Sequence, residues 1–478
     1  MLQFLQRALI LIAGLALLAT PVAAEPALAI THVAIVDVTG GPLQRDMTVI
    51  VQDGRITKIG RSAKLRPPKD AHSVDGSGKF LIPGLWDMHT HVVEVAPVYV
   101  PVMVANGITG VRNMHAVSMQ AVNDLRSQIA SGQRLGPRIV ANGPLVDGPD
   151  SSWPTAVKVA TAAEGRKAVA DLQAQGADFI KVYSFLPREA YFAIADEARS
   201  RGLPFAGHVA QSITVEEASN AGQRSIEHLD GVLRACTRDG DAVTADFIAA
   251  SKLWRSPATS AEGEARMIAV NGRILALYDP VVAQGLFDTF KRNGTWQTPT
   301  LVTAYINAHR GEAAVREAPE LRYVYAAQRK AWSGLPAPSA AWTESALATL
   351  AANQRLVGAL QRAGVGLLAG TDVGGALITP GFSLHQELAL MVEAGLTPLQ
   401  ALQAATLNPA RYLGLTDQMG TIAAGKAADL VLLDANPLDD IANTRRIRAV
   451  VLRGAYLSRG DLDRLLAGAE SEAAKGAA

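Results

Sequence analysis

The chain has 478 residues, 49% of them apolar and 19% charged, with a formal net charge of +1. That length accommodates one large domain plus a smaller one, or two or three ordinary domains; the composition excludes a disordered chain, and the charge balance gives no footing for nucleic acid or an acidic membrane surface as partner. The single cysteine, Cys236, excludes a disulfide within the chain and reads as a small buried apolar residue rather than a nucleophile.

In chain order, residues 1–24 read as a secretory signal. Arg7 supplies the positive start, Ala8 to Leu18 a short apolar run, and Val22, Ala23 and Ala24 a small-residue cleavage site, so the mature chain is expected to begin at Glu25 and to be exported to the periplasm or beyond. An uncleaved anchor is the alternative. No second apolar run of about 18 residues follows, so the mature chain is expected to need no membrane. Residues 25–82 hold short β-branched runs (Ile30 to Val38, Met47 to Gln52, Arg55 to Ile59) and no helix, with Asp53-Gly54 as a hairpin turn.

From Leu81 to Leu407 short apolar runs alternate with helical stretches. Eight strands are expected to end near His91, Arg112, Ala141, Lys181, His208, His228, Leu301 and Thr371. Helices are expected over Ala162 to Gln175, Arg188 to Arg201, Val215 to Ala221, Glu344 to Arg362 and Leu384 to Ala394. Eight such units predict an α/β fold, a closed (β/α)8 TIM barrel over residues 83–411. The long interval between His228 and Leu301 predicts extra helices over one end, like a lid. Strand character returns at Asp429 to Asp434 and Ile447 to Leu452, so residues 25–82 and 412–460 are expected to join as one composite β-sandwich built from both ends of the chain. The Ala-rich charged tail, residues 461–478, reads as a solvated helix or a frayed end.

The sharpest chemical signal is Pro83-Gly84-Leu85-Trp86-Asp87-Met88-His89-Thr90-His91. Side chains at i and i+2 of a strand face the same way, so His89 and His91 can share one metal, and strand C-termini are where barrels place their chemistry. Lys181, His208, His228 and Asp372 end four further strands, each after an apolar run. One such group could be a core histidine or a helix cap. Five strand ends carrying them point to a metal site, because buried ionisable groups are rare unless paired or metal-bound.

With these residues the chain resembles the metal-dependent amidohydrolase superfamily across nearly its whole mature length, within its imidazolonepropionase-related and prolidase-like branch. Val74 to Pro83 (VDGSGKFLIP) and Gly420 to Leu433 (GTIAAGKAADLVLL) carry the same likeness. The resemblance implies two divalent metal ions, zinc by default: His89, His91 and Asp372 on the more buried one, His208 and His228 on the other, and a carboxylated Lys181 bridging both. An unmodified Lys181 with a single metal is the alternative. A metal-bound hydroxide would attack a carbonyl carbon, and Asp372 would carry the proton to the leaving nitrogen. Tyr183, two residues past Lys181, either donates to the oxyanion or simply packs. His115 stands where relatives carry an Asp and a Gly pair; it either touches substrate or lies in a solvated loop. The turn-rich Asp147 to Pro154 (DGPDSSWP) is expected to border the pocket. His32, His72, His309 and His385 read as structural or exposed.

The expected reaction is hydrolysis of a carbon–nitrogen bond in a small molecule, an amide in a dipeptide or N-acyl amino acid. A cyclic amide, lactone or ester on the same site is the alternative. A non-catalytic scaffold relative would be expected to have lost one or more of these ligands. A homo-oligomer is left open.

Overall fold

The computed structural model describes residues 26–476. The expected signal segment, 1–24, lies outside them. The Asp53-Gly54 turn joins the antiparallel strands Gln44–Gln52 and Arg55–Arg61, with both turn residues left-handed at φ 52° and 72°. That geometry matches the twist of the paired strands. These strands belong to an eight-stranded sheet drawn from both ends of the chain. Its spatial order is Ala455–Ser458, Ile447–Leu452, Leu430–Leu433, Phe80–Pro83, Leu28–Ile35, Gln44–Gln52 and Arg55–Arg61, with His72–Asp75 beside Leu28–Ile35. Leu430–Leu433 alternates: Leu430 and Leu432 enter a small core with Leu28, Ile30, Val49 and Leu81, whereas Val431 and Leu433 face the main core of the molecule.

The main core surrounds parallel strands. Leu85–Thr90, Ile108–Asn113 and Arg138–Ala141 form one sheet; Val146–Asp147, Ile180–Val182, Phe205–Gly207, Ser225–Glu227 and Trp296–Thr298 form another, with Val157–Lys158 at its edge. The two are linked at one side by Asp178 N–H donating to the Ala141 carbonyl at 2.9 Å. At the other side residues 366–373 bridge them. The Gln297 amide donates to Gly366 and the Leu368 amide to Gln297, while the Met88 amide donates to Ala369 and the Asp372 amide to His89.

Six of the expected strand ends fall within one residue of the observed ones. The seventh does not: that strand stops at Thr298, and Leu301 opens the helix Leu301–His309. The eighth, expected to end near Thr371, is hydrogen-bonded on both sides without forming a regular strand. Two local features account for this. A Cβ on Gly370 would stand 2.9 Å from the His89 Cβ and backbone nitrogen, so the chain passes there at a distance only glycine permits, and Asp372 turns to φ 61°.

The five expected helices appear as Ala162–Ala174, Arg188–Ser200, Val215–Asn220, Ala340–Ala363 and Phe382–Glu393. Thr161 with Glu164 and Thr214 with Glu217 form capping boxes that start the first and third. The interval after His228 supplies the helices Val232–Ala235, Gly240–Trp254, Ser260–Leu277 and Pro280–Asn293, and residues from all four line the mouth of the central cavity.

The tail is an ordered, largely exposed helix rather than a frayed end. Residues Arg459–Ala474 form a helix that packs on helix Ala96–Ala105 and buries Leu462, Ala469 and Ala473. The reason lies in the earlier helix, which is apolar all round its circumference and so needs cover on the side away from the strands. Among the described residues no helix is long and apolar enough to cross a membrane.

Candidate metal centre and active site

The six residues singled out in the sequence meet at one end of the parallel strands. His89 and His91 project from the end of Leu85–Thr90 with ring centroids 5.5 Å apart. Asp372 Oδ1 lies 3.0 Å from His91 Nε2 and 3.4 Å from His89 Nε2. Among the described residues these three offer donor atoms within 4.8 Å of one another, close enough for a single ion. His228 faces His89 at 4.4 Å between centroids and His208 at 5.0 Å. Lys181, 1% exposed, lies on the same side of its strand as Tyr183, with its Nζ 5.9 Å from the Tyr183 ring centre.

Three of the histidines are held by the nitrogen that a metal would not use. His89 Nδ1 pairs with Glu227 at 2.8 Å, His208 Nδ1 with Ser184 at 3.1 Å, and His228 Nδ1 with Thr300 at 2.7 Å. Each leaves Nε2 uncommitted. Such outer contacts fix ring orientation at metal sites. Burial, reinforced by Lys181, holds His89 and His208 well below the usual imidazole range, and burial likewise lowers His228, so all three keep a lone pair. Burial alone would raise the Asp372 carboxyl; the His228 ring beside it, the hydrogen bond with His91 and the His89 ring more than reverse this, so the group is an ionised carboxylate. Burial pulls Lys181 down to about 8, so an appreciable fraction is the neutral amine near neutrality. The donor set therefore fits divalent metal: neutral imidazoles, an ionised carboxylate and a buried lysine able to shed its proton.

Beneath the histidines lies a layer that the sequence reading missed. Arg112 is wholly buried: its Nη2 donates to both oxygens of Glu227 at 2.8 Å, its Nη1 to Ser225 and the Tyr412 hydroxyl, and its Nε to the Met88 carbonyl. Asp87 accepts from the Thr371 hydroxyl at 2.6 Å and from the Thr371 and His89 amides. Burial pushes its carboxyl up to about 7. Strand alternation conceals one of these, Glu227, behind its neighbour His228. Ser225 and Glu227 share the inward face, and His228 joins them only because its own φ of 61° breaks the alternation.

The centre opens into a cavity of about 2030 Å³ bordered by Tyr183, His115, Thr155 and, from the expected loop, Ser152, Trp153 and Pro154. The Tyr183 ring lies 4.0 Å from that of His208, and burial pushes its hydroxyl up to about 12, so it is a proton donor at neutral pH. His115 reaches the wall, yet both its nitrogens are engaged: Nδ1 accepts from the Leu145 amide at 3.3 Å, and Nε2 meets the Thr155 hydroxyl at 2.9 Å. It presents a ring face rather than a free polar group. Trp153 stacks on His91 at 6.2 Å and meets His115 edge-on at 4.9 Å. Of the other histidines, His32 is exposed, whereas His385 is buried and bonded to Thr444. Cys236 is buried and free, its thiol pushed up to about 12 by burial.

Behind Thr300, Glu387 accepts from the Val302 amide at 2.7 Å, and its second oxygen is buried without a partner. Burial pushes this carboxyl up to about 8. A carboxyl raised on folding binds its proton more tightly in the native state, so its share of stability is present below the unfolded value and lost as pH rises through the folded one. Glu387→Gln is expected to be the more stable protein at pH 8.5 by a few kcal/mol, about 2–3, with the gap closing towards pH 4.5. Urea midpoints across that range check it; a constant difference would place the acid in a solvated setting.

A convergent set of histidines, lysine and carboxylate at the ends of parallel strands makes a candidate metal site on an α/β scaffold. The Amidohydrolase family model matches residues 80–456, and the chain belongs to that family. The chain is 37% identical to an adenine deaminase of Ligilactobacillus salivarius over 95 residues, 20% of this chain and 15% of that protein. It is 47% identical to an imidazolonepropionase of Thermoplasma acidophilum over 66 residues, 13% and 16% of the two chains. The matched stretches thus span under a fifth of these curated relatives. Solved structures align over far more. Bottromycin amidohydrolase superposes with a TM-score of 0.73 at 26% identity over 94% of this chain and 93% of that one, and a candidate prolidase from Bifidobacterium longum with 0.66 at 27% over 93% and 99%. The imidazolonepropionase match and the prolidase-like neighbours agree with the branch read from the motifs.

Proposed function

We propose that this protein is an exported, metal-dependent amidohydrolase that cleaves the amide bond of a dipeptide or N-acyl amino acid. The observation that carries this is the convergence of His89, His91 and Asp372 beside Lys181, His208 and His228 in the wall of one cavity. In this reading residues 83–411 close into a (β/α)8 barrel, supported by the hydrogen bonds of residues 366–373 to strands on either side, and residues 25–82 and 412–460 form one β unit. His89, His91 and Asp372 would hold one divalent ion, His208 and His228 a second, zinc by default, with Lys181 as a carbamate between them.

When bound, the ions supply a water of lowered pKa and an electrophile for the carbonyl oxygen. The chain's own groups do the rest. Asp372 holds its Oδ1 against His89 and His91 and keeps Oδ2 to take the proton of the attacking water and return it to the leaving nitrogen. Tyr183, a donor at the cavity wall, faces the carbonyl oxygen as negative charge develops on it. Trp153 and His115 cover one side of the centre and exclude bulk water from it. A cavity of about 2030 Å³ favours an extended substrate over a small cyclic amide.

The test is elemental analysis of the purified mature protein together with turnover of a dipeptide and N-acyl amino acid panel. Close to two metal equivalents and release of free amine are expected. Lys181→Ala is expected to lose one equivalent and at least about 100-fold in kcat/KM, with partial rescue by short-chain carboxylic acids. Two equivalents retained in Lys181→Ala would show that Lys181 does not bridge the ions, and one equivalent in the wild type would make the centre mononuclear. Export is checked separately: N-terminal sequencing of protein recovered from the periplasm or medium is expected to begin at Glu25, and an intact Met1 would mean a retained anchor.

A further inference from the structure

The cavity continues well past the candidate centre, and the charges along it are uneven. Arg188 is forked onto Glu217, while Arg238, Arg255 and Arg292 stand exposed at the rim. Arg234 differs from all of them. It lies on the short helix Val232–Ala235, six residues after His228, and its side chain is only 16% exposed. The Phe247 ring covers its guanidinium at 3.9 Å. Its Nε is buried with no acceptor among the described residues, and its single carboxylate contact, to Asp230 Oδ1, is a long 3.4 Å. Asp230 is itself occupied: its Oδ2 accepts from the Val209 amide at 3.2 Å and lies 3.8 Å from His208 Nδ1.

A guanidinium carries five donors in one plane and no acceptor. With its face covered by Phe247, what remains to it is the edge, the geometry that grips a carboxylate through two parallel hydrogen bonds. An unsatisfied buried donor is costly and persists where something else completes it. We propose that Arg234 binds a free carboxylate of the substrate, so that the enzyme acts on N-acyl amino acids or dipeptides with an open C-terminus. Their carboxylate-bearing amine half is then seated on the His208 and Asp230 side, and the acyl half lies against the aromatic wall of Trp153, Tyr183 and His115. This rests on the amide-hydrolase reading above and adds to it the anchor, the charge of the substrate and its direction in the cavity.

The test uses the metal-loaded mature protein and matched pairs of substrates, each N-acetyl amino acid against the same compound with its carboxylate converted to a primary carboxamide. The wild type is expected to favour the acid by about 10- to 100-fold in kcat/KM, mostly through KM. In Arg234→Met that preference is expected to fall towards unity, and Arg234→Lys is expected to restore part of it. Calorimetric binding of the free product amino acid against its amide gives a second readout that needs no turnover, with the same preference expected. Equal rates for acid and amide in the wild type would overturn the anchor while leaving the amide-hydrolase reading in place. Equal loss on both substrates in Arg234→Met, with the wild-type preference persisting, would also overturn it and make Arg234 a support for Asp230 and His208. Failure of the wild type on every amide of either charge would remove the underlying reading and the anchor with it.

Discussion

Asp372→Asn is expected to lower kcat/KM by about a thousand-fold or more while leaving the fold intact. The substitution preserves volume, and the Asp372 amide, which donates to the His89 carbonyl at 2.7 Å, is untouched. What goes is the charge. The carboxylate is held ionised by the histidines around it, and its Oδ1 faces two Nε2 atoms at 3.0 and 3.4 Å. An amide there offers at best a neutral oxygen to a cation and has no lone pair basic enough to accept a proton from water near neutral pH. Both metal occupancy and proton transfer should suffer. His89→Ala and His208→Ala separate the two effects, since each removes a ligand and leaves the proton carrier. They are expected to lose metal and activity together, whereas Asp372→Asn loses more activity than its residual metal accounts for. Metal per chain, kcat/KM and the urea midpoint measured on the three variants decide it. Turnover within tenfold of wild type in Asp372→Asn at full metal content would take the proton-carrying role away from this residue.

How far the site could be read in advance follows from how each residue announces itself. His89 and His91 are legible because strand periodicity converts a spacing of two into a shared face. Lys181, His208 and Asp372 are legible because a polar group at the end of an apolar run contradicts its surroundings. Glu227 directly precedes His228 and carries no such signal. In a regular strand neighbouring residues face opposite ways, and only the left-handed turn at His228 brings both inside. Arg112 shows in the sequence only as a strand terminus, since no local pattern reveals that a residue more than a hundred positions away will neutralise it. The tail shows the same limit from the other direction. Its composition suits solvent, and most of the helix does face solvent; Leu462, Ala469 and Ala473 are buried because helix Ala96–Ala105 has no polar face to leave uncovered. In place of the eighth strand expected near Thr371 stands an irregular bridging segment, because Gly370 and Asp372 give up strand geometry where His89 approaches.

Glu227→Gln is the second large expectation, this time on stability and on the centre at once. Glu227 and Arg112 are both fully buried and joined by two bonds of 2.8 Å, and Glu227 also holds His89 Nδ1 at 2.8 Å. Removing one charge of such a pair leaves the other uncompensated in the interior, which typically costs about 3–5 kcal/mol, far more than the pair adds over an apolar substitute. Burial tends to raise this carboxyl, and Arg112 with Lys181 more than reverses that, so its folded value lies below its unfolded one. Its contribution is therefore present above the unfolded value and disappears as pH falls through the folded one, so wild type and Glu227→Gln should converge in stability in acid. The His89 ring, deprived of a charged acceptor, is expected to bind metal about 10- to 100-fold more weakly. The double variant Arg112→Met with Glu227→Gln separates the two roles. Removing the stranded guanidinium should recover much of the lost stability, making the pair strongly non-additive, but it cannot restore the hold on His89. Urea midpoints and chelator competition on the two singles and the double are the measurements. Additive stabilities would mean that Arg112 and Glu227 act independently, and metal affinity that returns with stability would mean that Glu227 supports the fold beneath the centre rather than His89 itself.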